Sequence, residues 1–167
     1  MTKRALGVLS GSILLFLLVT SAYGQEAELS SAHKSKRVSL TFHVMSQCTF
    51  GNQVMNGISP VLKKIGDYID FRLEFIGNHD DGKPTSMHGD SEVKGDTIML
   101  CAQKHLGEAY EYFALIDCMN QDMKSIPGNW ETCAREAGFN STLSKLRKCY
   151  EGSEGRRLLK ASFELSQ

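Results

Sequence analysis

Cys48 closes one patterned run, Val38-Ser-Leu-Thr-Phe-His-Val-Met-Ser-Gln47, and opens another, Thr49-Phe-Gly-Asn-Gln-Val-Met-Asn-Gly-Ile58. The first alternates like a strand and the second has the texture of a helix. A thiol at such a junction meets the unpaired N–H groups and the positive dipole end of the helix, which favour the thiolate. The thiolate is the form that attacks a disulfide, and the product is a mixed disulfide. In two-cysteine exchange sites a second thiol three positions later resolves that product. Here that position is Gly51. One sulfur alone supports monothiol exchange, or trapping of a partner, with release left to a thiol on the substrate or to a low-molecular-weight thiol.

The remaining cysteines are Cys101, Cys118, Cys133 and Cys149. Five is odd, and Cys48 is the one expected to stay unpaired. The other four suit two structural bridges in an oxidising compartment, with three connectivities open. His79, His88 and Asp80-Asp81 could be drawn as a metal site, but their spacing matches no zinc motif, and no metal or cofactor is expected. Asn140-Ser-Thr142 is an N-glycosylation sequon. His43 reads as a packing or surface residue and Trp130 as a core anchor.

The amino end indicates the compartment. Lys3 and Arg4 precede an apolar stretch from Ala5 to Val19, and Ala22-Tyr23-Gly24 offers small residues for cleavage. That is the pattern of a signal peptide over residues 1–24. The apolar core is short beside the roughly 17–25 residues of a membrane span. Residues 25–37 are polar and aperiodic, a flexible leader. Without Lys3 and Arg4 the 19 basic residues fall to 17 against 19 acidic ones, a net of −2. Such a balance points away from nucleic acid.

The elements that must position Cys48 follow from periodicity. Val38, Leu40, Phe42 and Val44 alternate as a strand. Val54, Ile58, Val61 and Ile65 then recur at helical spacing, with Met55 and Leu62 widening the stripe, Pro60 inside and Gly66 as a cap. Ile69, Phe71, Leu73 and Phe75 alternate again, so a β-α-β unit with parallel strands is expected. Gly77 to Gly95 reads as an ordered loop. From Asp96 to Tyr150 the patterns are helical, with Asn129 and Gly138 bounding one helix and Ser141 or Thr142 capping the next. Leu158, Leu159 and Phe163 mark a last amphipathic run.

Ser86-Met-His-Gly-Asp-Ser-Glu-Val-Lys-Gly-Asp-Thr-Ile-Met-Leu-Cys101, together with Cys48 after its strand, resembles the family of gamma-interferon-inducible lysosomal thiol reductases and its secreted DsbA-like relatives. The family signature is C-Q-H-G-x2-E-C-x2-N-x4-C. His88, Gly89, Glu92 and Cys101 keep it. Ser86 and Val93 stand in place of cysteines, Met87 in place of Gln and Asp96 in place of Asn. Cys118, Cys133, Cys149 and Ile126-Pro127 also resemble family segments. The resemblance implies an α/β, thioredoxin-like fold over residues 38–167 with a disulfide-stapled helical insertion at 96–150, and exchange on protein disulfides. The final strands of that fold, with their proline loop, are not evident. The expectation is a domain incomplete at its carboxyl end, whose two-stranded sheet exposes an edge open to pairing.

Three functions follow. One is a secreted, lysosomal or other lumenal (periplasmic, if bacterial) oxidoreductase working through Cys48 on disulfide-bonded proteins or low-molecular-weight thiols. Another is a non-catalytic polypeptide-binding relative in which Cys48 is vestigial. The third is a monothiol glutaredoxin, because Cys48-Thr-Phe-Gly51 echoes Cys-Gly-Phe-Ser; secretion and the helical insertion argue against it.

Overall fold

A computed structural model describes residues 37–167. The expected signal peptide and all of the expected leader except Arg37 lie outside the described residues. The chain is mixed α/β and mostly helical, with two small sheets.

Strand β1 (Val38–Val44) leads through Met45–Gln47 to helix α1 (Thr49–Ile65). A short 3-10 turn, Gly66–Tyr68, feeds strand β2 (Ile69–Phe75). The strands pair in parallel, with Leu40 opposite Phe71, Phe42 opposite Leu73 and Val44 opposite Phe75. Phe71, Leu73 and Phe75 are buried, so the period-two pattern of β2 is a buried face.

Residues 77–95 differ from the expected loop. Asn78–Asp80 (β3) and Lys83–Thr85 (β4) form an antiparallel hairpin, and helix α2 already starts at Asp90 and runs to His105. Gly95 and the polar run Ser91, Glu92, Lys94, Asp96 look like loop in sequence. In the fold Glu92 and Asp96 point inward and are fully buried. Four further helices follow: α3 (Tyr112–Gln121), α4 (Trp130–Glu136), α5 (Leu143–Glu151) and α6 (Ser153–Leu165). Asn129 stands at the start of α4 but does not cap it; its amide donates to the carbonyls of Met119 and Asp122 instead.

The disulfides join Cys101 to Cys149 and Cys118 to Cys133, tying α2 to α5 and α3 to α4. Trp130 is buried against Tyr150. One core runs from Phe71, Leu73 and Phe75 through Ile98, Phe113 and Ile116 to Leu146 and Phe163.

Two features of the β-α-β unit depart from the sequence pattern. The buried face of α1 is Gly51, Asn52, Met55, Ser59 and Leu62, while Val54, Val61 and Ile65 stay exposed. Polar pairs turn the helix this way: Ser59 donates to Asp117, and Asn120 donates to Asn56 across the α1–α3 contact. Gly66 ends α1 in right-handed conformation, with no room for a Cβ beside the Tyr110 ring.

The two edges of the sheet are also unlike. Three outward amides of β2 are closed by side chains. Phe71 N–H donates to Tyr110 Oη (3.1 Å), Leu73 N–H to Gln103 Oε1 (2.7 Å) and Phe75 N–H to Ser162 Oγ (2.7 Å). Tyr110 Oη and Gln103 Nε2 donate in turn to the carbonyls of Ile69 and Leu73. The outer edge of β1 has no such cover among the described residues.

Candidate active site

Cys48 is the one free cysteine among the described residues and is half-buried. It occupies the N-cap position of α1 in extended conformation, with no side-chain cap bond and no acidic residue in the first turn. Its carbonyl accepts from Asn52 N–H at 2.8 Å, which starts the helix, and its own N–H donates to Met45 at 3.2 Å. The side chain is therefore left beside the unpaired amides of the first turn.

Gly51 faces back toward β1. A Cβ there would lie 3.1 Å from the Met45 carbonyl oxygen and 3.4 Å from Val44 Cβ. The position three residues after the thiol is thus a tight contact between helix and strand.

Two carboxyls on α2 hold the residues before Cys48. Asp96 Oδ1 accepts from Ser46 N–H at 2.9 Å and Glu92 Oε1 from Gln47 N–H at 3.1 Å. Ser46 Oγ donates to the Glu92 carbonyl. The Gln47 side chain is held at both ends: its Nε2 donates to the Ile126 carbonyl at 2.8 Å, and its Oε1 accepts from Ser91 Oγ at 2.9 Å. Helix α2 comes this close because residue 95 is glycine; a Cβ would lie 2.4 Å from Ser46 Oγ and 2.5 Å from Ile126 Cγ2. The Ile126–Pro127 peptide bond is cis.

Glu92 is the hub. Its other oxygen accepts from Ser86 Oγ at 2.6 Å and His88 N–H at 3.0 Å, and His88 Nδ1 lies 2.8 Å from Oε1. Burial pushes its carboxyl up, but the hydrogen bonds from Ser86, His88 and Gln47 outweigh it and hold the group below the usual 4.5. Asp96 goes the other way. Burial, with the neighbouring Glu92 charge, raises it from 3.8 to about 8 against the hydrogen bonds from Ser46, and its Oδ2 has no partner. Gly89 starts α2 at φ 83°, in the left-handed region that suits glycine.

Of the residues singled out in sequence, His88, Gly89 and Glu92 meet the Cys48 corner. Cys101, Cys118, Cys133 and Cys149 brace the helices behind it. His79 packs edge-on against Phe163, so it and His88 are not brought together as a metal pair. His43 bonds Ser166. Asn140 is exposed in a 3-10 turn, Asn140–Thr142. Sequence reasoning did not single out Ser46, Gln47, Ser91 or Ile126 as site residues. Asp96 was visible as a carboxylate where the motif has an amide; its link to Ser46 was not.

A cavity of about 390 Å³ opens beside the thiol, lined by Thr41, Phe42, Val44, Cys48, Phe50 and Val54 among others. None of its lining side chains is acidic, Lys or Arg.

The family model described as gamma interferon inducible lysosomal thiol reductase matches residues 39–137. The gamma-interferon-responsive lysosomal thiol protein of Arabidopsis thaliana is 29% identical over 136 residues, covering 77% of this chain and 54% of that protein. The chain therefore spans about half the length of this curated relative.

Proposed function

The chain belongs to the gamma interferon inducible lysosomal thiol reductase family, and from that membership we propose that it carries out thiol–disulfide exchange through Cys48 alone. The observation that carries this reading is the placement of Cys48: a free, half-buried thiol at the N-cap of α1, with the two preceding residues clamped by Glu92 and Asp96. We further infer that the β1-α1-β2 unit is part of a thioredoxin-like fold. A signal peptide at 1–24 would direct the chain into the secretory pathway, to a lysosomal or secreted destination, with Asn140 open to glycosylation.

In the exchange, the Cys48 thiolate attacks one sulfur of a protein disulfide. The substrate S–S bond breaks, a Cys48–substrate disulfide forms, and the second substrate sulfur leaves with the electron pair and takes up a proton. Gly51 supplies no resolving thiol, so release falls to a low-molecular-weight thiol. A first such thiol attacks the Cys48 sulfur and frees the substrate. A second regenerates Cys48 and leaves with the first as a disulfide, the oxidised product.

The test is mass spectrometry of the mature chain after exposure to a disulfide-bonded protein, with and without glutathione. A mixed disulfide at Cys48 that glutathione releases, and that Cys48→Ser abolishes, is the expected result. A polypeptide-binding role with an inert Cys48 is the second reading, favoured by the glycine at position 51. Binding of unfolded protein with no adduct at Cys48 would assign it.

A further inference from the structure

We propose that the Cys101–Cys149 bridge and a bound zinc ion are alternative states of one site: once the bridge is reduced, both thiolates, His105 and Glu154 ligate the metal. The site lies in the helical segment behind the exchange corner and does not depend on Cys48. Cys101 and His105 are one turn apart on α2, so the sulfur and the imidazole share a helix face. Cys149 sits in the last turn of α5 and Glu154 in the first turn of α6. One ligand atom from each of His105, Cys149 and Glu154 lies within 4.8 Å of the others. Cys101 Sγ, bonded to Cys149 Sγ, completes the set. Two sulfurs, one ring nitrogen and one carboxylate oxygen are a donor set that tetrahedral zinc accepts. At zinc bond lengths of about 2.0–2.3 Å, such ligand atoms stand about 3.3–3.8 Å apart. The cluster reaches that spacing by side-chain rotation, chiefly the parting of the two sulfurs that reduction itself produces.

Packing fixes the cluster and leaves it an entrance. Both cysteines are fully buried, the His105 side chain is 9% exposed and the Glu154 side chain 37%. Three ligands are thus enclosed, and the fourth opens on solvent as an entry path for an ion. Helix α6 reaches the sulfurs because residue 155 is glycine. A Cβ there would lie 2.6 Å from the Cys149 carbonyl oxygen and 2.8 Å from Thr97 Cγ2 on α2. In the bridged state His105 Nε2 lies 3.1 Å from Glu154 Oε2, an ordinary pairing at the end of α2. In the reduced state the same two side chains face two thiolates. The other bridge is a comparison within the molecule. Cys118 and Cys133 are grouped with Glu136 and no histidine, so reduction there supplies at most three ligands.

The redox step takes two electrons from a low-molecular-weight dithiol. Its two sulfurs join as a disulfide, the Cys101–Cys149 bond breaks, and the two dithiol protons pass to the cysteine sulfurs. Zinc then displaces both protons and binds the thiolates. The test uses the mature chain carrying Cys48→Ser, so that no result bears on the exchange function. It is reduced with a phosphine, which takes the oxygen of one water and leaves as its oxide. The chain is then titrated without air, first with Co2+ as a coloured probe and then with Zn2+. The reduced chain should take up one equivalent of Co2+, with the thiolate-to-cobalt charge-transfer and visible bands of a tetrahedral site, and Zn2+ should displace it. The bridged chain should take up none. Replacing Cys118 and Cys133 by Ala should leave uptake intact. His105→Ala and Glu154→Ala should each weaken it about tenfold or more, at least the loss that follows a change behind a ligand. Circular dichroism on every sample follows the helices, and zinc should raise the melting temperature of the reduced chain. No uptake after reduction overturns the inference. So do uptake that ignores His105→Ala and Glu154→Ala, equal uptake by the bridged chain, and uptake by a chain that has lost its helices.

Discussion

Glu92 and Asp96, one turn apart on α2 and both fully buried, each accept a main-chain N–H from one of the two residues that precede Cys48. The thiol is therefore aimed by carboxyls on a different element, through Ser46 and Gln47, without touching either.

Glu92→Gln should destabilise the chain by roughly 2–3 kcal/mol, since it turns charge-assisted bonds from Ser86, His88 and Gln47 into neutral ones and sets an amide donor against donors. A urea melt of the mature protein measures it. A change below about 0.5 kcal/mol would mean the hub is not structural.

The same two carboxyls give stability opposite pH dependences. Glu92 is held below 4.5 in the fold, so its contribution is complete above pH 4.5 and is lost as pH falls through the lowered value. Asp96 is raised from 3.8 to about 8, so the fold retains a proton that the unfolded chain releases; stability is full below pH 3.8 and declines as pH rises toward 8. Melting temperature should therefore peak at mildly acidic pH. Asp96→Asn should flatten the decline between pH 5 and 8 and keep the acceptor for Ser46. An unchanged slope in that variant would exclude Asp96 as its source.

Gly51→Cys should restore a second thiol one turn from Cys48. The new Cβ needs the Met45 carbonyl, at 3.1 Å, to move by a few tenths of an ångström. The variant should release a trapped substrate without added thiol, read as loss of the mixed disulfide in mass spectrometry. Persistence of the adduct would show that residue 51 points away from the exchanging sulfur.

The bridges should differ in weight. Cys101–Cys149 closes a separation of 48 residues and Cys118–Cys133 one of 15. Loop entropy alone puts them at about 4 and about 3 kcal/mol. Paired Cys→Ala variants, compared by chemical denaturation, should keep that order, and the native chain should titrate one free thiol.

Parts of this were legible early. The alternation of Ile69 to Phe75 and its pairing with Val38 to Val44 follow from period two, because strand pleating writes burial directly into sequence. Helix α1 was legible as a helix but not in its orientation. Val54, Val61 and Ile65 look like its core face, yet the bonds Ser59–Asp117 and Asn56–Asn120 set the buried side elsewhere. Residues 77–95 read as loop because inward carboxylates carry no apolar signal.

Taken alone, the sequence determined the unpaired Cys48, its strand-to-helix junction, the glycine at position 51 and the family motif through His88, Gly89, Glu92 and Cys101. Those are local facts, set by residue type and spacing. Only the tertiary structure decided which cysteines pair, which sheet edge is closed, and that Glu92, Asp96 and Ile126 converge on Ser46 and Gln47. These depend on contacts between residues 15 to 87 positions apart, brought together by burial of a shared core that no short stretch of chain encodes.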